Sequence, residues 1–150
     1  MKIGVFTATR AEYGILSGLL KKIQNDDFFQ LQLIVSGSHL SPEFGLTYRD
    51  IEADGIEIAD KVEMLLSSDS AVGCAKSVGL ATISVTDSLN RLQPDCLLVL
   101  GDRTELLAAA QSALLLNIPL VHIHGGEITQ GAIDDVVRHC VSKMAQLHFV

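Results

Sequence analysis

The segment His122-Ile123-His124-Gly125-Gly126-Glu127, followed by Asp134-Asp135 and Arg138-His139, gathers imidazoles, carboxylates, glycines and a guanidinium within residues 122–139. Imidazole changes charge near neutral pH and a carboxylate accepts protons and stabilises cations, so such a set can move a proton at a reacting carbon. The cluster directly follows the apolar run Ile118-Pro119-Leu120-Val121, where a buried strand would emerge at the surface. Core packing explains apolar residues and solvation explains scattered charges. Neither explains a mixed acid, base and glycine cluster at the end of a strand.

Three more polar motifs occupy equivalent places. Thr7-Ala8-Thr9-Arg10-Ala11-Glu12, Ser36-Gly37-Ser38-His39 and Gly101-Asp102-Arg103 each follow a short apolar run. In a parallel sheet the carboxyl ends of all strands share one rim, so the four motifs are expected to converge on one crevice, the usual ligand site of open α/β sheets.

Each motif also has a plainer reading. Asp102 with Glu105 three residues later has the spacing of a helix capping box. His122 and His124 share a strand face and are a possible start for a metal site, but no third ligand with suitable spacing follows, so no metal is expected. His122, nearer the strand, suits a hydrogen-bonded structural role better than His124. Asp134 with Arg138, and Asp135 with His139, are four residues apart, as surface ion pairs on a helix are. Arg10 is either a solvated charge or a phosphate clamp, and in the second case the helix amino terminus at Ala11 would add its own attraction for an anion. The glycines do not form G-x-G-x-x-G, which disfavours a dinucleotide cofactor.

The elements that would position these motifs follow from periodicity. Strands are expected within 2–7, 31–36, part of 56–65, 96–100, 120–123 and 146–150, several without a polar face, as in strands covered on both sides. Helices are expected over 11–24, 42–53, 70–92, 103–116 and 133–144, with Asp54-Gly55, Gln93-Pro94-Asp95 and Asn117 as stop signals. This alternation predicts an α/β fold with a doubly wound parallel sheet, Rossmann-like, with right-handed crossovers. The final segment Leu147-His148-Phe149-Val150 reads as a strand entering the core. A parallel strand is an awkward place for a chain to stop, so residues 1–150 are expected to be the first domain, or most of it, of something longer.

Composition narrows the partners. A chain of 150 residues, 48% hydrophobic, can bury one sizeable core. With 11 basic against 18 acidic residues, a net charge of -7 and no basic stripe, nucleic acid is not an expected partner. Cys74, Cys96 and Cys140 lack CxxC spacing and read as reduced, structural thiols, which fits a cytosolic protein. The chain enters an apolar run at once and has no stretch approaching the roughly 18 apolar residues of a spanning helix, so neither export nor membrane insertion is expected.

The order Thr9-Arg10-Ala11-Glu12-Tyr13-Gly14, Ser38-His39-Leu40-Ser41-Pro42-Glu43-Phe44-Gly45, Gly101-Asp102-Arg103, His122 to Glu127 and Ile133-Asp134-Asp135 through Arg138-His139 to Ser142-Lys143 resembles the hydrolysing UDP-N-acetylglucosamine 2-epimerases of sialic acid and related nonulosonate pathways. The resemblance runs colinearly along the whole chain. It implies the amino-terminal half of a GT-B-like, two-domain enzyme whose second, UDP-binding domain lies outside these residues. It also implies a UDP-sugar as partner, a homo-oligomer, and no cofactor.

The implied reaction removes UDP from C1 and a proton from C2 to give a glycal, to which water adds, yielding UDP and the C2-inverted free amino sugar. On that resemblance Asp102 and Asp134 take acid, base and electrostatic roles, with Glu127, Asp135 and His124 beside them. Arg10 and Arg103 would face the diphosphate, His39 would line the cleft, and His122, Arg138 and His139 would contact substrate. Some sialic acid members carry a catalytic carboxylate where this chain has His124, which brings a UDP-2,4-diacetamido-trideoxy hexose into view beside UDP-N-acetylglucosamine. The alternatives are a non-hydrolysing 2-epimerase and a non-catalytic binding or oligomerisation fragment.

Overall fold

A computed structural model describes residues 1–66, 68–128 and 133–150. Along the chain run β1 (Lys2–Thr7), α1 (Arg10–Gln24), β2 (Gln30–Ser36), α2 (Tyr48–Ala53), β3 (Ile58–Val62), α3 (Ala71–Leu92), β4 (Cys96–Leu100), α4 (Glu105–Leu115), β5 (Leu120–Ile123), α5 (Ile133–Met144) and β6 (Leu147–Phe149). Two short 3-10 turns, Gly37–Leu40 and Pro42–Phe44, lie between β2 and α2. The sheet order is β3-β2-β1-β4-β5-β6 and every pairing is parallel. Chain direction across the sheet reverses between β1 and β4, which makes that gap the topological switch point.

Strand residues alternate between two cores, because successive side chains point to opposite faces. Phe6, Ile34, Leu97 and Val99 pack with Val85 and Leu89 of α3, Leu106 and Ala109 of α4 and Val137 of α5. Val5, Leu33, Val35, Leu98 and Leu100 pack with Leu16 and Leu20 of α1 and Ile51 of α2. Burying both faces explains why these runs have no polar side, and it confirms the doubly wound Rossmann-like architecture. Among the described residues no helix is long and apolar enough to cross a membrane.

Three expectations are corrected. The single helix over 42–53 is broken, because Gly45 and Leu46 both adopt left-handed backbone, φ 84° and 51°, and the α-helix begins only at Tyr48. The last strand does not enter the core: β6 pairs with β5 alone, and as an edge strand it leaves Leu147 and Phe149 exposed. Cys74 and Cys140, read as structural thiols, lie exposed on the outer sides of their helices and pack into no core; all three thiols are free.

Candidate active site

The rim holds two clusters, one past β4 and β5 and one past β1 and β2. In the first, Gly101 takes φ 87°, a conformation costly for any side chain, and turns the chain out of β4 into Asp102. His122 is completely buried. Its Nε2 lies 2.7 Å from the Gly101 carbonyl, and its Nδ1 lies 3.0 Å from Ser142 Oγ on α5. Burial holds its pKa below the ordinary histidine value, so the ring is neutral. A carbonyl only accepts, so Nε2 carries the hydrogen and Nδ1 is left to accept. His122 thus ties three elements together, and Gly125 must be glycine beside it: a Cβ there would sit 2.6 Å from both His122 Nδ1 and Ser142 Oγ.

Arg138 projects from α5 with its side chain only 6% exposed. It forms an ion pair with Asp102, and its Nη1 donates to Glu127 Oε2 at 3.1 Å. Glu127 Oε1 in turn lies 2.6 Å from His124 Nδ1. The contact with His124, reinforced by Arg138, keeps the Glu127 carboxyl below the usual carboxylate range. The result is a continuous chain Asp102, Arg138, Glu127, His124. It ends at a half-exposed imidazole whose backbone is left-handed, φ 58°.

In the second cluster Glu12 is buried and its Oε2 accepts from the amides of Ala8 at 2.7 Å and Thr9 at 3.1 Å, and from Thr7 Oγ1 at 3.3 Å. Thr9 Oγ1 reciprocates by accepting from the Glu12 amide, a complete capping box. Burial nevertheless raises the Glu12 pKa to about 7, with the amide hydrogen bonds opposing the rise. The anion expected at the start of α1 is therefore partly supplied by the chain itself. Arg10 stays exposed, 3.8 Å from Asp50.

His39 has no exposed surface: Nε2 lies 3.2 Å from Thr7 Oγ1 and Nδ1 2.8 Å from Thr47 Oγ1. Burial lowers its pKa to about 4. A cleft of about 820 Å³ opens alongside, lined by Thr9, Ser38, Phe44, Arg103 and Glu105 among others. His39 is not on its wall.

Of the site residues expected from sequence, Asp102, Arg138, Glu127 and His124 are linked to one another, while Arg10, His39 and Arg103 lie in or beside the second cluster. His39, expected to line the cleft, is sealed off, and His122 takes the hydrogen-bonded structural role that its place beside the strand suggests rather than contacting substrate; both fasten loops together. Asp102 caps no helix: α4 starts at Glu105 behind Thr104, which makes no side-chain cap bond, and Asp102 faces Arg138 instead. Arg138 turns to Asp102 and Glu127, and no Asp134–Arg138 ion pair forms among the described residues, whereas Asp135 and His139 do pair, at 3.5 Å. Asp134 and Asp135 are half-buried on the first turn of α5, and His139 and Arg103 are exposed. Among the described residues no group of three or more histidines, cysteines and carboxylates could hold a metal.

Three contributors went unassigned from sequence. Glu12 was signalled by its capping-box spacing from Thr9. Ser142 lies four residues beyond Arg138, and hence on the same helix face. Glu105, given by its spacing only a capping-box role beside Asp102, is instead buried against the cleft, 3.4 Å from Arg103.

Residues 21–150 match the family model described as UDP-N-acetylglucosamine 2-epimerase. The chain belongs to that epimerase family. Over 149 residues it is 50% identical to the hydrolysing GDP/UDP-N,N'-diacetylbacillosamine 2-epimerase of Campylobacter jejuni, a match covering 99% of this chain and 38% of the relative. It is 40% identical over 149 residues to the hydrolysing UDP-N,N'-diacetylbacillosamine 2-epimerase of Legionella pneumophila, covering 99% and 39%. The chain therefore spans about two fifths of these epimerases, their amino-terminal region. Its fold superposes on the Neisseria meningitidis UDP-GlcNAc 2-epimerase with a TM-score of 0.86 at 23% identity, covering the whole of this chain and 40% of the other.

Proposed function

We propose that these residues form the amino-terminal, catalytic-rim domain of a hydrolysing UDP-sugar 2-epimerase, completed by a second UDP-binding domain. The carrying observation is the chain from Asp102 through Arg138 and Glu127 to His124, which presents an ionisable ring on the sheet rim backed by three fixed charges. Elimination of UDP needs a base at C2 and stabilisation of positive charge building at C1, and this group carries both kinds of function. Arg10 and Arg103, exposed on the same rim, suit the departing diphosphate.

The substrate reading is a UDP-2,4-diacetamido-trideoxy hexose in preference to UDP-N-acetylglucosamine. It is supported by the names of the Campylobacter and Legionella relatives and by His124 at a position where some sialic acid members carry a carboxylate. On this reading the full-length protein is a cytoplasmic homo-oligomer working in a legionaminic-type pathway. Mass spectrometry of products from the full-length protein, given each UDP-sugar separately, tests the reading. Free UDP with a free C2-inverted amino sugar supports it; an intact epimerised nucleotide sugar would assign the protein to the non-hydrolysing reaction.

A further inference from the structure

The geometry at the end of β5 assigns the proton transfer at sugar C2 to His124, with Glu127 orienting its ring and Arg138 and Asp102 fixing Glu127. The assignment rests on the hydrolase reading above and adds to it a division of labour among the rim residues.

Glu127 is held in its ionised form and can only accept, so His124 Nδ1, 2.6 Å away, must carry the hydrogen. In the neutral ring the lone pair is then on Nε2, and the carboxylate behind Nδ1 stabilises the imidazolium formed when Nε2 takes up a proton. This is the arrangement by which a carboxylate orients a histidine base. Glu127 sits on an exposed loop and alone would be a mobile partner, yet its other oxygen is held by the nearly buried Arg138, which Asp102 holds from the β4 turn.

His124 occupies left-handed backbone at φ 58°, with its amide donating to the Phe149 carbonyl at 2.8 Å, so the turn is fixed by β6. A non-glycine residue persists there only where its surroundings over-determine it, and such positions concentrate at functional sites. The charged groups brought to this corner are Glu127 from the same loop, Arg138 from α5 and Asp102 from the β4 turn; His148 of β6 acts on His122.

In the step itself, Nε2 takes hydrogen from C2 as a proton, the C–H electron pair becomes the C1–C2 double bond, and the C1–O pair leaves with UDP. The ring is half-exposed, so its proton exchanges with water. Water then supplies a hydroxyl to C1 and a proton returns to C2. Asp102 becomes a positioning residue in this scheme, not the base.

The test uses the full-length enzyme and the UDP-2,4-diacetamido-trideoxy hexose. His124→Gly tolerates φ 58° and leaves room for a small base, while His124→Asn also suits left-handed backbone and keeps some bulk. Both should lower kcat at least about a hundredfold with little change in KM, the scale of a lost acid–base group. Added imidazole should restore part of the activity of His124→Gly only. Glu127→Gln should move the acid limb of the kcat/KM profile to lower pH, because the imidazolium loses its counter-charge. If either folded His124 variant keeps kcat within threefold of wild type, or the acid limb is unmoved in Glu127→Gln, the assignment fails while the hydrolase reading stands. A wild type that releases no UDP overturns both.

Discussion

Arg138 and Asp102 lie 36 residues apart in sequence, yet their ion pair bridges the inward face of α5 to the turn leaving β4. Through it the helix that follows the histidine loop is locked to the switch point of the sheet. Removing one member of a largely buried pair leaves the other poorly solvated, so the pair acts as a structural latch as well as a charge source.

Asp102→Asn should therefore lower kcat by about a hundredfold. The amide still fits the site but gives up the charge that holds Arg138. Arg138→Met, which removes the charge and both hydrogen-bonding arms, should lower kcat at least as far and also reduce stability by about 2–4 kcal/mol. Urea unfolding followed by circular dichroism, paired with steady-state kinetics, separates the two outcomes.

Gly125→Ala should destabilise the protein by about 1–3 kcal/mol. The new methyl would meet His122 Nδ1 and Ser142 Oγ at 2.6 Å, where neither a core imidazole nor a helix-borne hydroxyl can retreat freely. Gly14→Ala, with open space around its Cβ position, is the control and should be neutral or slightly stabilising through helix propensity. Thermal midpoints of the two variants measure the contrast.

Stability should depend on pH through Glu12 and His39 with opposite signs. The Glu12 pKa is raised from 4.5 to about 7, so between those values the folded state binds more protons than the unfolded one, and this contribution is lost as pH rises. The His39 pKa is lowered from 6.5 to about 4, so its contribution is present above 6.5 and lost as pH falls through that window. Glu12→Gln removes the first effect, and its stability relative to wild type should improve by on the order of 3 kcal/mol from pH 4.5 to pH 8. Chemical denaturation at several pH values reads the slope; parallel curves for variant and wild type would contradict it.

Much of this was legible in the sequence because a parallel sheet covered on both faces writes itself as short unbroken apolar runs. Lys2–Thr7, Cys96–Leu100 and Leu120–Ile123 appear as strands at the positions their sequences indicate. The rim followed from the strands, since the motifs at Arg10, Asp102 and His124 each come just after one. What the sequence hid was depth and partner choice. His39 looks like a cleft ligand by type, and only the packed loops show that it is enclosed, whereas the place of His122 beside its strand already pointed to a structural role. Helical spacing offers Arg138 to Asp134, but tertiary contacts offer it Asp102 and Glu127. The break at Gly45 and Leu46 was hidden for a related reason: left-handed backbone at a leucine has no local signature.

The fate of the hydrogen at C2 tests this chemistry most directly. When the full-length protein turns over the UDP-2,4-diacetamido-trideoxy hexose in D2O, nuclear magnetic resonance should show free UDP and a C2-inverted free amino sugar carrying one deuterium at C2. A free sugar that retains its original hydrogen at C2, or a nucleotide sugar that never releases UDP, would contradict it.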